Sequence, residues 1–253
     1  MENNMENVRI IILAGGKGKR MGTDAPKVLA QIKGKPMIKY LLDSIKKTSI
    51  TSRPTIVVGY KKEEVINEIG TDYDYVVQEE QLGTGHAVMV AKDNFGKEIK
   101  HILVLYGDHP LITAETIENL LNKHLHSKAQ ITMATVMLPD FNDWREFFYQ
   151  NFSRIIRNLN GEILKSVEFK DTNEEEKKIT EINPCYFVFE TNYLWEKLKD
   201  LKNNNAQGEY YLTDLVKMAM EEGLKIESIQ INPREAIGAN SKEEIVILET
   251  FTI

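Results

Sequence analysis

The chain has 253 residues, 42% hydrophobic and 28% charged, with a formal net charge of −6 and a single cysteine, Cys185. That length buries a full core, as one large α/β domain or a domain with an appended subdomain. The acidic balance excludes a general attraction to nucleic acid or an anionic membrane, and the lone cysteine excludes an intrachain disulfide and a cysteine-built metal cage. The opening Met1-Glu2-Asn3-Asn4-Met5-Glu6-Asn7 lacks the basic and apolar regions of a signal peptide, and no apolar run reaches membrane-spanning length. These features are those of a cytoplasmic enzyme or binding protein.

Apolar runs over Arg9–Leu13, Thr55–Val58, Tyr73–Val77 and Ile102–Leu105 read as buried strands rich in Val, Ile and Leu. Helix-period stretches follow over Met37–Lys47, Lys61–Ile69, Gly85–Asp93 and Thr113–His126, the last with cap chemistry in Thr113 and Thr116. This alternation predicts a mainly parallel sheet with helices on both faces, with ligands held beyond the carboxyl ends of strands. The second half differs. Gln130–Leu138 reads as a strand, and Arg154–Asn158, Ile163–Phe169 and Ile179–Phe189 predict an antiparallel ribbon with a hairpin turn at Asn160-Gly161. Thr191–Leu201, Thr213–Glu222 and Ser241–Thr250 read as helices and Ile226–Ile231 as a strand, while Glu174–Lys178 reads as a solvated turn. The organisation expected is a single domain over 1–253. One part covers about 8–138 and a substrate-facing part about 139–232, with a closing stretch and helix over 233–253.

The most informative stretch follows the first strand: Leu13-Ala14-Gly15-Gly16-Lys17-Gly18-Lys19-Arg20, with Pro26-Lys27 beyond. Gly15, Gly16 and Gly18 lack Cβ atoms, so backbone N–H groups can turn inward on an anion. Arg20 and Lys27 are placed to neutralise a triphosphate. The spacing is neither a Walker motif nor a dinucleotide fingerprint, and alone it also fits a tight strand-to-helix turn. Tyr106-Gly107-Asp108 ends the fourth strand. Gly107 lets Asp108 face the same crevice, where a carboxylate opposite a phosphate cradle suits Mg²⁺; helix capping is the alternative. The loop Gln78–His86 offers glutamine amides able to pair with the imide edge of uracil, and also fits an ordinary polar loop.

Together these segments resemble the sugar-nucleotide pyrophosphorylases, specifically the uridylyltransferase domain of the bacterial bifunctional N-acetylglucosamine-1-phosphate enzymes. The resemblance extends through Tyr106–Leu111, Val167-Glu168, Lys170-Asp171, Glu181-Ile182-Asn183 and Asn203–Asp214, to about Asn240. It implies a Rossmann-like, glycosyltransferase-A-like nucleotidyltransferase fold with a smaller antiparallel sugar-binding subdomain. It further implies that Leu13, Ala14, Gly15, Gly16 and Gly18 hold the nucleotide and that Lys27 reaches its phosphates. Gln78, Gln81, Gly83 and Thr84 read the base, and Asp108 and Asn240 hold Mg²⁺. Tyr106, Gly107, Ser153, Glu168, Asn183 and Tyr211 fall on the sugar side. From the residues alone, Asn240 fits the cap region of the last helix equally well. The implied reaction is direct in-line attack of a sugar 1-phosphate on the α-phosphorus of UTP, releasing pyrophosphate, with Arg20, Lys27 and Asp108 as the catalytic groups. N-acetylglucosamine 1-phosphate is the first-choice acceptor. Another sugar or nucleotide, or a non-catalytic nucleotide-sugar sensor, is the alternative; an oligomer is possible.

The chain departs from that family mainly on the sugar side. The usual Gly-Thr-Arg is Gly18-Lys19-Arg20, Tyr-Gly-Arg is Phe152-Ser153-Arg154, and Asn183 is followed by Pro184-Cys185. Residues 139–151 are longer than the family's connection and carry Phe141, Trp144, Phe147, Phe148 and Tyr149. The spacing of Trp144, Phe147 and Phe148 predicts a short packed amphipathic helix, with a lid or an association surface as the alternative. The acetyltransferase half of the bifunctional enzymes, with its hexapeptide repeats, has no counterpart here, so its activity and trimerisation do not carry over. The chain is expected to be either a natural stand-alone enzyme or an excised domain, and the changes at Ser153 and Pro184 favour a stand-alone enzyme with a shifted sugar preference.

Overall fold

The computed structural model describes residues 4–18, 21–22 and 24–252. In chain order, β1 (Val8–Ala14) leads through the glycine-rich segment to a small hairpin, β2 (Gln31–Ile32) and β3 (Lys35–Pro36), and then α1 (Met37–Lys46). β4 (Thr55–Val58), α2 (Lys62–Ile69), β5 (Asp74–Val77), α3 (Thr84–Met89), β6 (His101–Tyr106) and α4 (Ala114–Ser127) continue the alternation. The second half contains β7 (Ile131–Met137), α5 (Phe147–Asn151), β8 (Ser153–Arg157), β9 (Ile163–Val167), β10 (Glu181–Asn183) and β11 (Phe187–Glu190). α6 (Thr191–Lys197), α7 (Asp214–Glu221), β12 (Ile226–Gln230) and α8 (Lys242–Phe251) complete it.

Ten strands form one sheet in the order β5-β4-β1-β6-β11-β7-β10-β8-β9, with β12 paired in parallel to β7. β5, β4, β1 and β6 are mutually parallel. The alternation of a strand sends neighbouring side chains to opposite faces, and β1 shows it directly. Ile10 and Ile12 enter one apolar cluster, with residues of α1, α4 and α8, while Ile11 and Leu13 enter the other, with residues of α3, α6 and α7. Burial on both faces is why these strands are continuous apolar runs.

The antiparallel part is an extension of this sheet, since β11 pairs antiparallel with both β6 and β7 and β10 pairs with β7 and β8. The single strand expected over Ile179–Phe189 is two strands. Pro184 brings no N–H to a ladder, and Cys185 takes a left-handed φ of 65°. Its N–H donates to Asn183 Oδ1 at 2.7 Å. The chain turns there, so β10 and β11 join different neighbours. The hairpin at Asn160-Gly161 joins β8 and β9 as expected, with Gly161 at φ 82°. Residues 143–151 form a short 3-10 turn and α5, and Phe148 is buried in the core, in keeping with a packed helix. Among the described residues no helix is long and apolar enough to cross a membrane.

Candidate active site

The carboxyl ends of β1, β5 and β6 open on one crevice. Gly15 leaves β1, and its carbonyl accepts from Tyr60 N at 3.2 Å and Gln81 Nε2 at 3.0 Å. A Cβ on Gly15 would lie 3.2 Å from Gln78 Oε1, so the missing side chain lets Gln78 sit against the loop. Gln78 is buried, and its Nε2 donates to Gly83 O at 3.1 Å and lies 3.1 Å from His86 Nδ1. A carbonyl can only accept, which fixes the orientation of the amide. Gln78 therefore turns Oε1, an acceptor, towards Gly15, and the two residues line a cavity with Leu13, Ala14, Gly16, Gln81 and Thr84.

Gly83 lines the same cavity and holds φ 106°, where a Cβ would lie 2.7 Å from Tyr210 O. Tyr210 N donates to Leu82 O and Gly85 N to Tyr210 O, each at 2.8 Å. The segment around 203–213 thereby holds the 78–86 loop from the far end of the chain. Sequence reasoning quoted that segment without giving it this task. The run of three small residues, Gly83, Thr84 and Gly85, was the available signal of a close backbone approach.

Gly18 and Gly107 stand off the cavity walls and act through the backbone. Gly18, at φ 65°, abuts Lys27, and Gly107 N donates to Leu13 O at 2.9 Å, drawing the end of β6 onto β1. Lys27 donates to both Asp108 Oδ2 and Asn240 Oδ1. Burial alone would raise the Asp108 pKa, but the adjacent Lys27 ammonium outweighs it and holds the carboxyl below its ordinary range. Both capping alternatives are settled. Thr113 caps α4 by accepting from Thr116 N at 3.1 Å, and Ser241 caps α8 by accepting from Glu244 N at 3.3 Å. Glu244 in turn accepts from Asn240 N, so the Asn240 side chain is left to face Lys27. Arg20 lies outside the described residues.

His109 follows Asp108 and is uncharged. Its Nδ1 lies 2.9 Å from Tyr186 Oη, and the single phenol hydrogen goes to Glu235 O at 2.7 Å. Nδ1 must therefore carry a hydrogen, and burial pushes the ring pKa down to about 4.

A second cavity is lined by Tyr106, Asp108, Ser153, Glu168, Asn183, Tyr211 and Asn240, with Phe147, Phe152 and Pro184. Ser153 Oγ and Thr213 Oγ1 donate to the same oxygen, Glu168 Oε1, at 2.8 and 2.9 Å. Burial raises the Glu168 pKa while these two hydroxyls work against the rise. Gln207 Nε2 donates to Tyr211 Oη at 2.9 Å. Asn183 is engaged within the protein, donating to Ser166 Oγ at 3.0 Å and accepting from Cys185 N. Its clearest role is to hold the bend between β10 and β11. Thr84, Tyr106, Asp108 and Glu209 line both cavities, so the two cavities meet beside the Lys27–Asp108 pair. Glu209 is a wall residue to which sequence reasoning gave no site role, while Phe147 belongs to the 139–151 segment, for which a lid over the sugar was the alternative to a packed helix.

Residues 10–208 match the MobA-like NTP transferase domain. The chain is 39% identical over 241 residues to the bifunctional protein GlmU of Exiguobacterium sibiricum, covering 95% of this chain and 52% of the relative. It is 40% identical over 240 residues to the bifunctional protein GlmU of Streptococcus agalactiae serotype V, covering 94% and 50%. The chain thus spans about half the length of these curated relatives. A solved structure from Bacillus anthracis, assigned as a glucose-1-phosphate thymidylyltransferase, superposes with a TM-score of 0.73 at 19% identity, over 96% of this chain and 94% of that one. That likeness shows a shared mixed α/β fold. With a glycine-rich first loop, an acid at the end of β6 and a match over most of its length, the chain belongs to the MobA-like NTP transferase domain family.

Proposed function

We propose that the protein forms a UDP-sugar and pyrophosphate from UTP and a sugar 1-phosphate, with N-acetylglucosamine 1-phosphate as the first-choice acceptor. The observation that carries this reading is the position of Asp108. It lines both cavities and is paired with a cation, Lys27, so a nucleoside triphosphate in one chamber and a sugar phosphate in the other meet at that pair. Residues 8–138 supply the nucleotide chamber, residues 139–232 most of the sugar chamber, and residues 233–253 return Asn240 to the junction.

Gln78 supports uracil. Its Oε1 accepts a hydrogen bond, as the N3–H of uracil requires and the bare N3 of cytosine does not. Catalysis is positioning and charge stabilisation. The acceptor phosphate is already ionised at neutral pH, because its second pKa is about 6, so no general base is needed and the reaction assigns no proton transfer to His109. Lys27 neutralises the α-phosphate and the departing pyrophosphate, with Arg20 as a second cation.

Asp108 and Asn240 fit a hard divalent cation. Their two oxygens already converge on one positive group, the Lys27 ammonium, and Mg²⁺ takes few protein oxygens with the remainder from phosphate and water. When bound there, Mg²⁺ supplies charge neutralisation between the two phosphates. Glu168 and Tyr211 provide acceptor and donor groups for the sugar hydroxyls. Pyrophosphate release measured over a panel of sugar 1-phosphates and four nucleoside triphosphates tests the reading, which fails if no pair turns over.

A further inference from the structure

Residues 139–151, longer than the connection of the resembled family, reach the sugar cavity through the ring of Phe147 and the amide residue Asn151. Arg154, fully buried in β8, fastens this insertion. Its guanidinium donates to Phe152 O at 2.7 Å and to Tyr149 O, and sits 4.8 Å from the ring centre of Phe141 and 5.2 Å from that of Phe169. Cation–ring attraction and carbonyl acceptors replace a carboxylate partner. Because Phe169 adjoins Glu168, one cation holds both the insertion and the turn bearing the sugar-side acid.

Phe147 is fixed in turn by its ring neighbours, Phe148 at 5.1 Å and Phe152 at 5.5 Å between centroids. Phe147, Phe152 and Pro184 are the apolar members of a lining that is otherwise mostly polar, with Asn151, His109, Glu168, Gln207 and Tyr211 among it. A hexose hydroxyl set against aromatic carbon loses its water partners and gains none, whereas a methyl group set there is favoured. We propose that Phe147 is a specificity-determining residue, and that it takes the methyl group of a methyl-bearing sugar 1-phosphate. This inference rests on the function proposed above. The methyl belongs to an N-acetyl substituent or to a 6-deoxy carbon, and the test separates the two.

The experiment measures kcat/KM from pyrophosphate release by the full chain with UTP and glucose 1-phosphate, N-acetylglucosamine 1-phosphate or 6-deoxyglucose 1-phosphate. Wild type, Phe147→Ala and Phe147→Leu are compared, with thermal melts to check folding. The expected result is a wild-type preference of at least ~10-fold for one methyl-bearing acceptor over glucose 1-phosphate. Phe147→Ala should reduce that preference by about the same factor, and the acceptor that loses it identifies the methyl. Phe147→Leu keeps an apolar side chain and carries the comparison if the alanine variant does not fold. A wild-type preference for glucose 1-phosphate, or an unchanged ratio in a folded variant, overturns the assignment while leaving the uridylyltransferase reading standing. Absence of product from wild type with every acceptor overturns both.

Discussion

Ser153 Oγ donates to Glu168 Oε1 at 2.8 Å, so this serine orients a buried acid in the wall of the second cavity. The added Cβ does not simply crowd the sugar, because its hydroxyl is spent on a carboxylate that burial would otherwise drive towards protonation. Ser153→Ala should raise KM for the sugar 1-phosphate by about three- to tenfold, the worth of one charge-assisted hydrogen bond, with a smaller effect on KM for UTP. The sign of the pH effect follows. The Glu168 pKa is raised in the folded protein, the ionised form is the better acceptor, and sugar affinity falls as pH drops through that raised value. Removing Ser153 raises it further, so the acid limb of kcat/KM for the sugar should move to higher pH. A limb that stays in place would remove Ser153 from this role.

Asp108→Asn keeps the shape of the β6 terminus and removes the charge that Lys27 meets. Turnover should fall by about 100-fold or more, in line with loss of a transition-state electrostatic group, while UDP affinity falls less than about tenfold. Fluorescence or calorimetric titration beside steady-state kinetics checks this. Equal losses in both would indicate damage to the fold.

Gly83→Ala places a Cβ 2.7 Å from Tyr210 O on a backbone at φ 106°. The left-handed conformation alone costs of order 1–3 kcal/mol, and displacement of the base-reading loop should raise KM for UTP by about tenfold or more. Melting curves and nucleotide kinetics report the two effects separately. Unchanged values in both would mean that the 203–213 segment does not clamp the loop.

His124, buried on α4, lies 2.9 Å from Thr132 Oγ1 and 3.1 Å from His101 Nδ1. Burial pushes His124 down to about 3, with His101 contributing in the same direction, and burial also lowers His101 against the opposing pull of Glu190. Both are lowered in the folded state, so the unfolded chain takes up protons first as pH falls. Stability is unaffected by His124 above about pH 6.5 and declines below it, by about 1.4 kcal/mol per pH unit for one fully linked group. His124→Gln should flatten the fall in melting stability between pH 6.5 and 5, after allowing for the neutral-pH cost of the substitution. An unchanged slope would show that the pair does not control acid stability.

The parallel half of the sheet was legible because burial on both faces writes strands as apolar runs. β4 falls on Thr55–Val58 as read, and α1 and α4 fall within a residue of their expected limits. The break between β10 and β11 was harder to see. Val, Phe and Ile on either side of Pro184-Cys185 carry the same strand signature, and the left-handed turn at Cys185 depends on an Asn183 side-chain bond that periodicity does not encode. That Lys27, Asp108 and the glutamine loop share one cavity was legible because each follows a strand whose carboxyl end opens on the same crevice. Glu209 reaches the cavities through tertiary contacts made far along the chain, and nothing local to it marks it as a wall. Asn240 was ambiguous until Ser241 was seen to take the cap.

The most direct test of the central claim is pyrophosphate release by the purified chain with Mg²⁺, UTP and N-acetylglucosamine 1-phosphate, beside the same assay with CTP. The account predicts UDP-sugar and pyrophosphate in equal amounts with UTP. It predicts an efficiency with CTP lower by about 100-fold or more, because Gln78 Oε1 then faces a base nitrogen with no hydrogen to give. Equal use of CTP would contradict the base-reading geometry, and no pyrophosphate with any pairing of four nucleotides and the sugar 1-phosphate panel would contradict the uridylyltransferase assignment itself.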